Sequence, residues 1–264
     1  MHTILFILGT PYCGSTFLAS LLSEYDHVFN VGELDRVSGV GNNQNPFHSN
    51  WCKVCSTGGQ ECPVFDEKLI EDIRQASNHT ERYAKLAQAT GKSILVDGSK
   101  HAYWLNAVCA ENNVKTMARP IILVRNPIRF ILSSKSRHAD FQWPMWKWAE
   151  IWRDTYIDLM RSCSRIGIPY LIVRHEDLCA DTDGVLGVIR DFSKIGARRI
   201  EDNETAFHYI GGNPEFNAKI LRDKRVNVDM SEVDQASTEY IEARNYLLNT
   251  PGCFDLYHNI FGYS

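Results

Sequence analysis

Between an apolar run, Ile4–Leu8, and a helix-like stretch, Phe17–Leu22, the chain reads Gly9-Thr10-Pro11-Tyr12-Cys13-Gly14-Ser15-Thr16. A strand, a glycine turn and a helix in that order make a unit whose helix N-terminus opens at the strand's carboxyl end. The spacing is that of G-x-x-x-x-G-K-[ST], with Ser15 in the lysine position. Glycines let the backbone turn tightly and aim its N–H groups at one anion, so a phosphate cradle survives. The lysine that grips the end phosphates of a nucleoside triphosphate does not. The pattern predicts a phosphorylated ligand and argues against phosphoryl transfer from ATP·Mg.

The strand–helix alternation recurs. Continuous apolar runs rich in β-branched residues cover Ile4–Leu8, Ser93–Val96, Pro120–Val124 and Tyr170–Val173, and the first strand is read as Thr3–Leu8. Helical patterns follow over Ser15–Glu24, Ala102–Glu111, Pro127–Ser136 and Asp183–Ile195. Continuous rather than alternating hydrophobicity marks strands buried on both faces of a parallel sheet. The expectation is an α/β, P-loop-like three-layer fold with a central, mostly parallel sheet flanked by helices. Ligands in such folds sit at the carboxyl ends of the strands, where Gly9, Asp97, Arg125 and Arg174 fall. Phe141–Arg165 reads as a long helix, and Ser231–Asn249 as another with Ser231 as its N-cap.

With 264 residues, the chain is read as a single domain over 1–264 with an irregular, Cys-containing insertion at about 35–64. A net charge of −4 argues against general nucleic-acid binding. No apolar run approaches the ~18 residues of a membrane span. Met1-His2-Thr3 offers no Lys or Arg to start a signal peptide and Gly9-Thr10-Pro11 interrupts the apolar stretch, so a cytoplasmic location, or a domain lacking its targeting segment, is expected. Cys13, Cys109, Cys163, Cys179 and Cys253 are scattered and read as reduced, buried thiols. Cys52, Cys55 and Cys62 are clustered. Their C-x-x-C start suits zinc, with His48 as a fourth ligand, but the spacing fits no standard finger. Zinc, a disulfide and reduced thiols all stay open.

The run Ile121–Pro127 is followed by a helix carrying Ser133, eight residues after Arg125. A guanidinium at a strand end and a hydroxyl two helical turns on can converge on one phosphate.

Here the chain resembles the sulfotransferases that use 3′-phosphoadenosine 5′-phosphosulfate (PAPS). Their first motif is a lysine-free loop, R-S-G-[ST]-[ST], for the 5′-phosphosulfate. Their second is an R-[DN]-P strand end with a serine eight residues on, for the 3′-phosphate. Gly14-Ser15-Thr16 and Arg125-Asn126-Pro127…Ser133 match these, while Tyr12 and Cys13 replace the arginine and serine of the first motif. Further pieces resemble the bacterial-type pattern in order along nearly the whole chain. They are Val31-Gly32-Glu33-Leu34, Val96-Asp97-Gly98-Ser99-Lys100, Val173–Leu178, His208…Gly212-Asn213-Pro214 and Phe261-Gly262-Tyr263.

The resemblance implies PAPS as sulfuryl donor, adenosine 3′,5′-bisphosphate as product, a hydroxyl-bearing acceptor and no obligatory metal. It implies nucleotide contacts from Tyr12, Cys13, Gly14, Ser15, Thr16, Phe17, Arg125 and Ser133. Glu33 is implied as the base that takes the acceptor's proton, and Lys100 as the cation at the bridging oxygen. His101 is the rival base. His138, His175 and His208 read as structural or solvent-facing, and Lys219, Arg222, Lys224 and Arg225 as a solvated run or a cover over the nucleotide. Trp143, Trp146, Trp148 and Trp152 are read as core in preference to an acceptor pocket; Trp51 offers a stacking face for adenine without a motif to assign it. Carbohydrate, lipid and small-molecule hydroxyls remain open as acceptors, as does protein tyrosine. The competing readings are a P-loop-type nucleotide kinase, with Val96-Asp97 positioning Mg²⁺, and a catalytically weak nucleotide-binding module.

Overall fold

The computed structural model describes residues 3–37, 51–52, 54–55, 61–138, 143–196, 198–199, 208–212 and 234–263. Strand β1 (Thr3–Leu8) runs through the glycine loop into α1 (Ser15–Leu22), then β2 (Val28–Gly32) and a 3₁₀ turn at Leu34–Arg36. Helices α2 (Glu67–Arg74) and α3 (His79–Thr90) precede β3 (Ile94–Lys100). Next come α4 (Ala102–Cys109), α5 (Asn112–Met117), β4 (Ala118–Val124), α6 (Pro127–Arg137) and α7 (Met145–Ile166). Strand β5 (Leu171–Arg174), α8 (His175–Ala180), α9 (Thr182–Ser193) and α10 (Thr238–Asn249) follow. No helix among the described residues is long and apolar enough to cross a membrane.

The five strands form one sheet in the order β2-β3-β1-β4-β5, and every pairing is parallel. The side chains of β1 alternate between two cores. Ile4, Phe6 and Leu8 face α4, α6 and α7, while Leu5 and Ile7 face α1 and α9. Burial on both faces explains why the strands read as unbroken apolar runs. The sheet and its two helix layers are the α/β architecture expected from the alternation.

Three local expectations change. Val28–Gly32, read only as a short apolar stretch, is the edge strand of the sheet. Strand β3 continues past Val96 to Lys100, because pairing with β1 and β2 carries Asp97-Gly98-Ser99-Lys100 along the sheet despite their low strand propensity. The last helix starts at Thr238 with Ser237 as its N-cap, the hydroxyl accepting from the Tyr240 N–H; Ser231 lies outside the described residues. Helices α2 and α3 lie outside the expected set. Each begins at a side-chain cap, Asp66 accepting from Leu69 N–H (2.7 Å) and Asn78 from Glu81 N–H (2.8 Å).

The longer β3 puts Asp97 inside the sheet rather than past its end. Its carboxylate accepts from the Tyr83 hydroxyl (2.6 Å), Trp104 Nε1–H (2.8 Å), the Ser99 N–H (2.9 Å) and the Ser99 hydroxyl. Burial is the largest influence and pushes its pKa up from 3.8 to about 6, although these hydrogen bonds favour the charged form. The folded chain therefore keeps a proton that the unfolded chain has already released. The associated stability is full below the unfolded pKa and is lost as pH rises through the folded one. Between about pH 4 and about pH 7 the stability of the native protein relative to Asp97→Asn should fall by roughly 2 kcal/mol. Urea unfolding of both proteins across that range checks this; a flat difference would give Asp97 an ordinary pKa.

Candidate active site

All five strands present their carboxyl ends on one edge of the sheet, and the loop after β1 lies at its centre. Gly14 caps α1 in the left-handed region (φ 96°), and a Cβ there would lie 2.7 Å from the His175 ring, so glycine is required. The first helical hydrogen bond is Leu18 N–H to the Gly14 carbonyl (3.0 Å), so the N-terminus of α1 opens at the loop. Cys13 turns its thiol into the core, and its N–H closes the turn on the Thr10 carbonyl (3.3 Å). His175 packs on Phe17 at 6.1 Å, and burial lowers its pKa to about 4, so it is a neutral structural ring.

Tyr12 is a non-glycine residue at φ 62°. Its carbonyl accepts from Arg125 (2.8 Å), its hydroxyl lies 3.3 Å from His138 Nε2, and the Arg137 guanidinium stands 4.9 Å over its ring. Arg125 follows β4, and Asn126 starts α6 by accepting from the Ile128 and Arg129 N–H groups (2.9 and 3.3 Å). Burial is the main influence lowering the Arg125 pKa; Arg129 and Arg137 act the same way and Glu176 opposes them. An arginine stays charged throughout. Arg129, Ser133 and Arg137 recur every four residues, which sets them on one face of α6, with Ser133 half-buried. Arg129 and Arg137 were not singled out in the sequence; their four-residue spacing around Ser133 is the signal that marks them.

Lys100, at the end of β3, pairs with Leu8 of β1, and its carbonyl accepts from the Gly9 N–H (3.2 Å). It too is left-handed (φ 66°), a strained backbone at the mouth of the loop. Its ammonium pairs with Glu33 Oε1, while Arg36 holds Glu33 Oε2. Burial alone would raise the Glu33 carboxyl, but Lys100 and Arg36 outweigh it and hold it below its usual range. Gly32 precedes Glu33, and a Cβ there would lie 2.1 Å from the Ile210 carbonyl. That space admits a short segment beside the end of β2, with Ile210 N–H bonded to Val31 (3.0 Å) and Glu33 N–H to Ile210 (2.8 Å). The result is a narrow cleft lined by Ser15, Thr16, Glu33, Lys100, Tyr209 and Gly212.

The other candidates lie elsewhere. His101 is exposed and stacks on Tyr103 (5.2 Å), whose hydroxyl donates to Asp35 (2.6 Å). Trp148 and Trp152 are core, whereas Trp143 and Trp146 are 43% and 44% exposed. His138 stacks on Trp148 (5.4 Å) as well as touching Tyr12, so it borders the loop. Trp51 packs on the core. Cys52, Cys55 and Cys62 gather around His208. His48, Lys219, Arg222, Lys224 and Arg225 lie outside the described residues.

Two motifs far apart in the chain form one clamp. Glu176 accepts from the Asn126 N–H (3.0 Å) and the Tyr263 hydroxyl (2.7 Å). Arg174 pairs with Asp177 (2.7 and 2.5 Å) and donates to the Gly262 carbonyl (2.7 Å). Arg174, expected among the strand-end groups, is thus committed to fastening the last residues against the turn that bears Arg125. Tyr263→Phe should cost about 1–2 kcal/mol in urea unfolding, with less than additive loss when combined with Glu176→Gln. Full additivity would remove the clamp.

Residues 5–197 match the model described as "Sulfotransferase family". Among curated proteins there is no significant match. Among solved structures, sulfotransferase STF9 from Mycobacterium avium aligns with 100% of this chain and 78% of its own at 14% identity, with a TM-score of 0.55. The sulfotransferase domain from the curacin biosynthetic pathway aligns over 94% and 98% at 18% identity and a TM-score of 0.48. The sulfotransferase domain from the Synechococcus PCC 7002 olefin synthase aligns over 93% and 94% at 19% identity and a TM-score of 0.44.

Proposed function

This chain belongs to the sulfotransferase family, and on that premise we propose that it moves the sulfuryl group of PAPS to an acceptor hydroxyl, with Glu33 as general base. The observation that carries this reading is the lysine. Position 15 lacks it, and β3 delivers Lys100 to the mouth of the same loop, in contact with Glu33. A cation beside a phosphate cradle and a carboxylate beside the cation are the parts that in-line transfer to a hydroxyl needs.

In this reading the first-turn N–H groups of α1, from Ser15, Thr16 and Phe17, hold the 5′-phosphosulfate, with Tyr12, Cys13 and Gly14 shaping the turn. Arg125 and Ser133 hold the 3′-phosphate. The donor supplies an activated sulfuryl group with adenosine 3′,5′-bisphosphate as leaving group. Lys100 steadies the charge that grows on the bridging oxygen as the S–O bond breaks. Glu33 takes the hydroxyl proton as the acceptor oxygen bonds to sulfur. Negative charge brought to Lys100 competes with Glu33 for the ammonium, so donor binding raises the basicity of a carboxylate that Lys100 and Arg36 otherwise suppress. Carbohydrate, lipid, small-molecule and protein-tyrosine hydroxyls are the acceptor classes to screen. Packing of Ala243 and Leu247 of α10 into the same core as α6 and α7 supports treating 1–264 as one domain.

Two observations weigh on the alternatives. The kinase reading needs Asp97 as a magnesium carboxylate, but Asp97 is buried and satisfied by Tyr83, Trp104 and Ser99. The non-catalytic reading rests on Tyr12 in the arginine position, yet Arg137 brings a guanidinium to its ring.

A thermal-shift titration with adenosine 3′,5′-bisphosphate against ATP·Mg tests the proposal. A ligand at 100 times its Kd adds about 2.7 kcal/mol of stability. A shift with the bisphosphate in the absence of metal supports the donor site; a shift with ATP·Mg alone rejects it. Binding of PAPS with no transfer to any hydroxyl of a broad acceptor panel would favour the weak module.

A further inference from the structure

We propose that Cys52, Cys55, Cys62 and His208 form a structural zinc site that fastens the segment roofing the cleft to the edge of the sheet. The four ligand atoms all lie within 4.8 Å of one another, and among the described residues no other group of three or more His, Cys, Asp or Glu side chains is placed to hold a metal. His208 Nδ1 stands 3.2 Å from Cys55 Sγ, 3.5 Å from Cys62 Sγ and 3.9 Å from Cys52 Sγ. A tetrahedral centre with Zn–S of about 2.3 Å and Zn–N of about 2.1 Å sets its ligand atoms roughly 3.5–3.8 Å apart. The observed separations bracket that range.

The chemistry of the set points to the same metal. Three thiols and an imidazole are soft to borderline donors, suited to zinc and unsuited to magnesium or calcium. Zinc binding would release the three thiol protons to solvent and leave the Cys₃His set closed, as in structural rather than catalytic centres. Cys62 Sγ already accepts from the Phe65 N–H at 3.2 Å, the contact that steadies a coordinated thiolate. All eight cysteines are free thiols, and a disulfide within the cluster would leave His208 one sulfur partner instead of three.

The location gives the metal a task. Cys52 pairs with Ile210, Ile210 pairs with Gly32, and the Trp51 carbonyl accepts from the Gly211 N–H (3.4 Å). Two segments about 150 residues apart thus meet beside Glu33, where a shared ion makes a fixed link. The inference concerns folding of this corner and does not depend on the sulfotransfer reading.

The test is metal content of the full chain, grown with zinc and purified under reducing conditions. About one zinc per chain is expected, released by a thiol-directed mercurial and captured by a chromogenic chelator. Cys55→Ser and His208→Ala should each hold about tenfold less, while His208→Cys keeps the full equivalent. Less than about a tenth of an equivalent in the wild type after reconstitution, or full zinc in both variants, overturns the proposal. Cobalt titration of metal-depleted wild type keeps the test independent of variant folding. An intense tetrahedral spectrum with a thiolate-to-cobalt band is expected; a weak octahedral one overturns it. Two of the eight thiols missing from the denatured, unreduced protein would also overturn it, in favour of a disulfide.

Discussion

Glu33→Gln is expected to lower kcat by about 10²–10⁴-fold, the range for losing a positioned general base. Glutamine keeps the shape and can still accept from Lys100, but it cannot take a proton. The Kd for adenosine 3′,5′-bisphosphate should change by less than about threefold, since no ligand contact is removed. Any change should be toward tighter binding, because Lys100 and Arg36 lose a competing anion. In the wild type, kcat/KM should rise with pH through the lowered Glu33 pKa and then level off, and the variant should lack that limb. Unchanged turnover in Glu33→Gln, with a large loss in His101→Ala, would transfer the role to His101.

Arg125→Ala should raise the Kd for adenosine 3′,5′-bisphosphate by about 100-fold, the loss of a forked, charge-assisted contact in a half-buried setting. Arg125 also holds the Tyr12 carbonyl, so the variant has two ways to act. Adenosine 5′-phosphosulfate, which has no 3′-phosphate, separates them. It should bind wild type and variant alike if Arg125 serves the 3′-phosphate. Equal weakening of both nucleotides would make Arg125 a support for the loop alone. Arg125→Lys keeps the charge without the fork and should fall between the two.

Much of the site region was legible because it is encoded locally. The glycine loop between Leu8 and Ser15, the Asn126-Pro127 helix start and the spacing from Arg125 to Ser133 each depend on a few neighbouring residues. Their backbone preferences and caps act over one or two turns, and the observed elements begin where those residues set them. The same holds for β1 and β4, whose apolar runs need no partner to be recognised.

What the sequence by itself determined is therefore the alternation of β1, β3, β4 and β5 with helices and the lysine-free glycine loop. Only the tertiary structure decided which groups meet. Pairing with β1 and β2 carries β3 on to Lys100, buries Asp97 and brings Lys100 to Glu33. Packing sets Arg137 over Tyr12, closes Glu176 on Tyr263, and gives the three thiols His208 as their partner. These contacts join residues up to about 150 positions apart, so they form where the whole fold offsets the entropy of closing long loops, and no local propensity records them.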